Sequence, residues 1–275
     1  MKLQEIKETL NANRLRLSKS LGQNFLHDRN QLRRIADAAD LAVGDQVLEI
    51  GPGLGALTQI LVEKGAIVLA VEKDRRLYDL LEVRYRGFAN LTLVHEDALE
   101  CLRKDSRNWA DWKLVSNLPY SVASPILVEL AQSNGCPERM VATVQLEVAR
   151  RLAASAGDPD YGVLTLLIRS RYDVAGWFKI PAPCFFPAPN VDSACVTLVR
   201  RRDPLLSPEQ AEPFGKIVKR GFSQRRKVML KLLRSDWPAE RLASAYVQLG
   251  LAPDIRAEKV SLEQFSELTR LLQPP

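Results

Sequence analysis

The sequence is poor in histidine, with only His27 and His95 in 275 residues. That scarcity excludes a histidine-rich metal site or a chain of imidazole relays. Its four cysteines (Cys101, Cys136, Cys184 and Cys195) contain no Cys-x-x-Cys pair. No zinc cluster or disulfide framework is therefore expected, and a reducing, cytoplasmic compartment fits. No run approaches the roughly 18 apolar residues that a membrane span needs. The opening stretch Met1–Asn13 carries Glu5 and Glu8 and lacks the apolar core of a signal peptide. Internal repeats and low-complexity tracts are absent too. The sequence therefore predicts a soluble protein without a metal or a membrane partner.

What is present describes an ordinary globular protein, 46% hydrophobic and 26% charged. At about 150 residues per domain, the length suits one large domain or a large one with a small companion. The formal charge is +6, and the excess is local. Arg200–Arg234 holds eleven Lys/Arg against three Asp/Glu, and Lys2–Arg34 holds eight against three. Two basic segments around a neutral middle suit a polyanion partner, although two solvated helix faces would give the same composition.

From Val47 onward, short apolar runs alternate with helical patterns. Val47–Ile50, Ile67–Val71, Leu91–Val94, Lys113–Ser116 and Met140–Val144 read as strands, with helices at Leu57–Glu63, Leu77–Arg84 and Pro125–Gln132. This alternation predicts an α/β fold with a parallel sheet covered on both faces. Val163–Tyr172 and Ala194–Arg200 read as a further pair of strands, antiparallel at the sheet edge. Beyond Asp203-Pro204 only helical patterns remain, over Pro208–Phe222, Arg225–Arg234, Pro238–Leu249 and Leu262–Leu272. A boundary near 203 is expected, with an α/β domain over 1–203 and a small all-α domain over 204–275.

Glu49-Ile-Gly51-Pro-Gly53-Leu-Gly55-Ala56 lies between the first of these strands and the first helix. Glycines permit a sharp turn and close approach of a ligand to the backbone, and a helix N-terminus offers free N–H groups. Glu72, at the end of the next strand, is placed to accept bonds from two ribose hydroxyls. The glycine loop alone fits NAD as well as other adenosine cofactors. Three features tilt the choice away from NAD. Glu49 ends its strand two positions before Gly51. Pro52 removes an N–H that a pyrophosphate would use. Glu96-Asp97 follows the third strand, where Asp97 can bond an adenine amine. This pattern resembles that of Rossmann-like S-adenosylmethionine-dependent methyltransferases.

Asn117-Leu118-Pro119-Tyr120 follows the fourth strand, at the sheet edge where open α/β folds bind ligands. An adenine amino group is a poor nucleophile because its lone pair is delocalised. The Asn117 oxygen and the Leu118 carbonyl can hold its two hydrogens and stabilise the charge that develops on methylation. Pro119 fixes the backbone, and Tyr120 offers a ring for a flipped base to stack on. In Phe185-Phe186-Pro187-Ala188-Pro189-Asn190-Val191-Asp192-Ser193, an exposed Phe185 would cover the base from the other side, with Phe186 as a core anchor.

Together with Lys19-Ser-Leu-Gly-Gln-Asn-Phe-Leu-His-Asp28 and Phe222-Ser-Gln-Arg-Arg-Lys227, these motifs make nearly the whole chain resemble the ribosomal RNA adenine dimethyltransferase family. The small-subunit, 16S branch is the better match through Leu21-Gly-Gln-Asn24 and the helical tail. The resemblance implies an S-adenosylmethionine site at Asn24, Leu26, Gly51, Gly53, Glu72, Asp97 and Asn117. It also implies a target-adenine pocket at Asn117–Tyr120 and Phe185. Its implied substrate is two adjacent adenosines in the 3′-terminal hairpin of 16S rRNA, each methylated twice in an assembling small subunit by a monomeric enzyme. Lys219, Arg220, Arg225, Arg226 and Lys227 are then expected to bind rRNA phosphates. Ser121 and Asn190 depart from the family pattern, where Tyr or Asn and Lys are usual. The alternatives are a large-subunit rRNA adenine methyltransferase, a mainly non-catalytic ribosome assembly factor and, on the glycine loop alone, an NAD-dependent oxidoreductase.

Overall fold

Runs of consecutive apolar residues favour the strands of a covered parallel sheet, and five such strands in this chain pair in parallel, with Leu91–His95 at the less buried edge. The computed structural model describes residues 2–15, 17, 22–133 and 135–273. It divides the chain into two compact units, Met1–Ala149 with Val174–Arg200, and Arg150–Asp173 with Arg201–Pro275. The motif residues Lys19, Ser20 and Leu21 lie outside the described residues.

The first unit opens with α1 (Leu3–Ala12), β1 (Phe25–Leu26) and α2 (Arg29–Ala38). There follow β2 (Gln46–Ile50), α3 (Ala56–Glu63), β3 (Ile67–Glu72), α4 (Arg75–Arg84), β4 (Leu91–His95), α5 (Ala98–Lys104), β5 (Trp112–Asn117), α6 (Ala123–Gln132) and β6 (Arg139–Gln145). The chain leaves this unit within α7 (Leu146–Ala153) and returns within β7 (Tyr172–Ile180), before β8 (Phe185–Phe186) and β9 (Ser193–Arg200). The main sheet has the order β4-β3-β2-β5-β6-β9-β7, with β9 antiparallel to β6. The order reverses between β2 and β5, whose backbone pairing runs from Gln46↔Trp112 to Leu48↔Leu114. A crevice opens beyond that point, as it does at the switch point of doubly wound sheets. Asp28, Asp74 and Asp97 cap α2, α4 and α5, each accepting backbone N–H bonds from the first turn.

The second unit contains α8 (Val163–Arg169), α9 (Ala211–Gly221), α10 (Met229–Leu233), α11 (Ala239–Gln248) and α12 (Leu262–Leu272). Its boundary near Arg200–Arg201 lies close to the expected 203, and the unit also takes in residues 150–173. The expected strand at Val163–Tyr172 is instead mostly helix α8. Leu166, Leu167 and Ile168 are all buried there, and Thr165 Oγ1 donates to the Arg151 carbonyl. A short apolar run is ambiguous between the two structures, and burial all round suits a helix. The strand beside β9 is the more polar Tyr172–Ile180. The expected helix at Arg225–Arg234 shrinks to Met229–Leu233. A turn from the Lys227 N–H to the Gln224 carbonyl and a bond from the Met229 N–H to the Ile255 carbonyl occupy the preceding backbone.

Candidate functional site

The glycine loop turns by left-handed backbone at Gly51, Gly53 and Gly55, with φ of 69°, 63° and 80°. A Cβ at Gly53 would sit 2.9 Å from the Phe25 ring, and one at Gly55 2.7 Å from the Tyr85 hydroxyl. The Gly51 N–H donates to the Val71 carbonyl at 2.9 Å, so the turn leaves the sheet still tied to β3. The space so preserved is a cleft of about 220 Å³ at the β2/β5 switch point. Asn24, Leu26, Gly51, Gly53, Glu72, Asp97, Asn117, Pro119 and Tyr120 all line it, as does Glu49.

Three carboxylates lie along this cleft in different states. Glu49 is 2% exposed and accepts from Thr58 Oγ1 at 2.7 Å. Burial, with the Glu72 charge adding to it, pushes its pKa up to about 8. Glu72 accepts the Gly53 N–H at 3.2 Å on one oxygen and the Asp74 N–H at 2.8 Å on the other. Burial raises its pKa as well. A carboxylate has about four acceptor positions, so two bonds leave capacity for a ligand. Asp97 accepts the Leu99 and Glu100 N–H groups on Oδ1 and Lys73 Nζ at 2.8 Å on Oδ2. The Lys73 bond is the main reason its pKa is lowered.

Asn117 is the polar centre of the cleft. Its Nδ2 donates to the Asn24 carbonyl at 3.1 Å, while its Oδ1 is buried without a partner. A buried acceptor left open is costly in a folded protein unless a ligand or water uses it. The Tyr120 hydroxyl lies 2.5 Å from Ser193 Oγ, which holds the ring, and burial raises its pKa. Gln23 Nε2 donates to Asp74 Oδ2 at 2.9 Å, tying the segment before β1 to the cap of α4. The bond from Arg76, first among several, holds Asp74 down at about 2. Gln23 and Thr58 belong to motif segments but had no expected role of their own, Lys73 carries no motif signal, and it is the cleft that brings all three to notice.

Two expected residues lie elsewhere. Leu118 is buried and does not line the cleft, unlike its neighbours Asn117 and Pro119. Phe185 was expected to be the exposed ring and Phe186 the core anchor. Phe185 is instead the more deeply buried, while Phe186 packs partly buried against the cluster of Ile6, Leu10 and Phe25. Phe185 is 2% exposed in the core with Leu26 and Cys195, whereas Phe186 is half-buried with Lys7 Nζ 5.6 Å from its ring centroid. The cause is the antiparallel pairing of β1 with β8, Phe25↔Phe186 and Leu26↔Phe185. Side chains alternate across a strand, so pairing beside Leu26 commits Phe185 to the core.

In the second unit, Lys219, Arg225, Arg226 and Lys227 are exposed. Arg220 is half-buried and ion-paired with Asp236 through both its Nε and its Nη2. That pairing keeps the Asp236 pKa low. Arg220, Arg226, Lys227 and Lys231 share one groove with Gln224 and Ser235. Lys219 lies outside it. Among the described residues, no group of three or more His, Cys, Asp or Glu is arranged to hold a metal, and no helix is long and apolar enough to cross a membrane.

The chain is similar to known ribosomal RNA methyltransferases. Ribosomal RNA small subunit methyltransferase A of Geobacter metallireducens is 37% identical over 264 residues, covering 94% of this chain and 96% of its own. The Streptococcus pneumoniae protein of the same name is 38% identical, covering 97% and 96%. The crystal structure of the 23S rRNA methyltransferase ErmE matches with a TM-score of 0.66 at 29% identity, over 90% of this chain and 99% of its own. A dimethyladenosine transferase from Plasmodium falciparum shares the fold, with a TM-score of 0.74 at 24% identity over 89% and 95%. The family profile described as ribosomal RNA adenine dimethylase matches residues 14–274, and the chain belongs to that family.

Proposed function

We propose that this enzyme methylates N6 of two adjacent adenosines in the 3′-terminal hairpin of 16S rRNA, twice each, in the assembling small subunit. S-adenosylmethionine is the cofactor, the enzyme acts as a monomer, and the compartment is the cytoplasm. The observation that carries the reading is the partnerless Asn117 Oδ1 in a cleft that also holds Glu72 and Asp97.

The residues suit the cofactor. Gly51 and Gly53 leave its place clear of side chains, Glu72 has free acceptor capacity for ribose hydroxyls, and Asp97 stands on the next strand end to take the adenine amine. When bound, S-adenosylmethionine supplies an electrophilic methyl group on its sulfonium. Asn117 Oδ1 and the Leu118 carbonyl accept the two hydrogens of the target amine and turn its lone pair towards that methyl. With the cofactor bound, the amine nitrogen would take the methyl as its bond to sulfur breaks, and the amine, made acidic by its new bond, would give a proton to water. No side chain has to act as base. Pro119 holds the tetrapeptide rigid, and Tyr120, fixed by Ser193, stacks on the extruded base. The Asn117 donor is spent on Asn24, which keeps the amide the right way round for an acceptor role.

Lys219, Arg220, Arg225, Arg226 and Lys227 bind rRNA phosphates, with Asp236 presetting the Arg220 guanidinium. The experiment is transfer of radiolabelled methyl groups to undermethylated small subunits, followed by location of the label. Label on two neighbouring adenosines near the 3′ end is expected. With large-subunit RNA offered in parallel, label confined to that RNA would instead support the activity named in the 23S relative.

A further inference from the structure

Lys73 stands directly after Glu72, lines the same cleft and is 59% exposed at its side chain. Its ammonium lies 2.8 Å from Asp97 Oδ2. The loops carrying the two residues are tied together: the Glu96 N–H donates to the Glu72 carbonyl at 3.2 Å, and His95 Nε2 lies 3.2 Å from the Lys73 carbonyl. An exposed ion pair of this kind contributes little to folding. Its position at the cleft gives it another use.

Asp97 Oδ1 already accepts two backbone N–H groups, so Oδ2 is the oxygen with room for a ligand. That oxygen comes with a donor beside it, since an ammonium has three hydrogens and one is given to Asp97. The cleft therefore presents an acceptor and a donor side by side. An adenine edge presents the complement, an amine donor flanked by ring nitrogens that accept. A 6-oxopurine presents an oxygen there and an N–H on the neighbouring ring nitrogen, which sets oxygen against carboxylate.

We propose that the Lys73–Asp97 pair reads the base of the cofactor as one unit, Asp97 accepting from the amine and Lys73 donating to a ring nitrogen beside it. Lys73 is then a specificity-determining residue. This rests on the reading of the cleft as an S-adenosylmethionine site.

The test is calorimetric binding by the full chain of S-adenosylhomocysteine and of its 6-oxo counterpart, S-inosylhomocysteine. Lys73→Met keeps the aliphatic stem and removes the donor. The wild type is expected to bind the adenosyl compound and to reject the inosyl compound by at least about thirtyfold, as an unpaired polar edge demands. Lys73→Met is expected to lose about fivefold in adenosyl affinity with its melting temperature unchanged. The 1-deaza or the 7-deaza analogue should bind the wild type about fivefold more weakly than S-adenosylhomocysteine, yet bind Lys73→Met without that loss. If Lys73→Met binds all these compounds as the wild type does, Lys73 does not read the base. If the wild type fails to bind S-adenosylhomocysteine at all, the cofactor reading itself is what fails.

Discussion

Asn117 gives its amide N–H to the Asn24 carbonyl at 3.1 Å and leaves its Oδ1 buried with nothing to accept from. One half of the side chain is thus anchored, and the other is held ready for a donor. Asn117→Ala removes the acceptor and should lower the methyl-transfer rate about 100- to 1000-fold, the loss typical of one oriented transition-state partner. Cofactor affinity should change far less. Single-turnover transfer and calorimetry together check this, and a rate within about tenfold of wild type would remove Asn117 from the chemistry. Asn117→Asp keeps an acceptor but sets a carboxylate against the Asn24 carbonyl, and should both slow transfer and lower the melting temperature.

The contrast between Asn117 and Phe185 shows what this sequence makes legible. Asn117 could be placed because a continuous apolar strand leads into it, and strand ends in open α/β sheets are where ligands bind. The glycine loop was legible for a related reason, since Gly51, Gly53 and Gly55 all need backbone that other residues rarely adopt. Phe185 and Phe186 offered no such handle. Which of two adjacent rings faces the core depends on the register of β8 against β1, a partner some 160 residues away along the chain. Lys73 was silent, and Gln23 showed as a motif residue without a role, because their roles arise from contacts with Asp97 and Asp74 across the sheet edge. Residues 163–169 were misread for want of a periodicity, and surrounding helices decided their state.

Gly53 is the position where the loop has least tolerance. Its φ of 63° strains any other residue, and a Cβ would meet the Phe25 ring at 2.9 Å. Gly53→Ala should destabilise the protein by about 1–3 kcal/mol through backbone strain and steric displacement. It should also displace the N–H that bonds Glu72, and so weaken cofactor binding. Denaturant melts and calorimetry test both effects, and an unchanged midpoint with unchanged affinity would contradict them.

Glu49 should link pH to both stability and binding. Its pKa is raised from 4.5 to about 8, so the folded state holds a proton that the unfolded chain gives up between those values. Its contribution to stability is full below about 4.5 and declines as pH climbs towards 8. Glu49→Gln, which cannot ionise, should flatten that decline in melts taken from pH 5 to 9. A cationic ligand in the cleft favours the carboxylate, so wild type should release a fraction of a proton on binding S-adenosylmethionine at pH 7. Calorimetry in two buffers of different ionisation enthalpy reads this directly. Equal heats in both buffers would show that Glu49 keeps its proton throughout.

Arg225 and Arg226 sit in an exposed turn, and Arg226 shares its groove with Arg220, Lys227 and Lys231. Arg225 Nη2 also donates to the Pro159 carbonyl at 2.5 Å, which holds one of the two guanidinium groups in place. Phosphate binding by such residues releases counterions, so affinity falls linearly in log–log form with salt. Reversing both charges in Arg225→Glu/Arg226→Glu should weaken binding to undermethylated small subunits. The salt slope should flatten by about one to two, roughly one per lost contact. Because neither side chain lines the methyl-transfer cleft, calorimetric affinity for S-adenosylmethionine should stay at the wild-type value. Filter binding across a salt series decides the matter: an affinity and slope equal to wild type would mean that the basic turn is only a solvated surface.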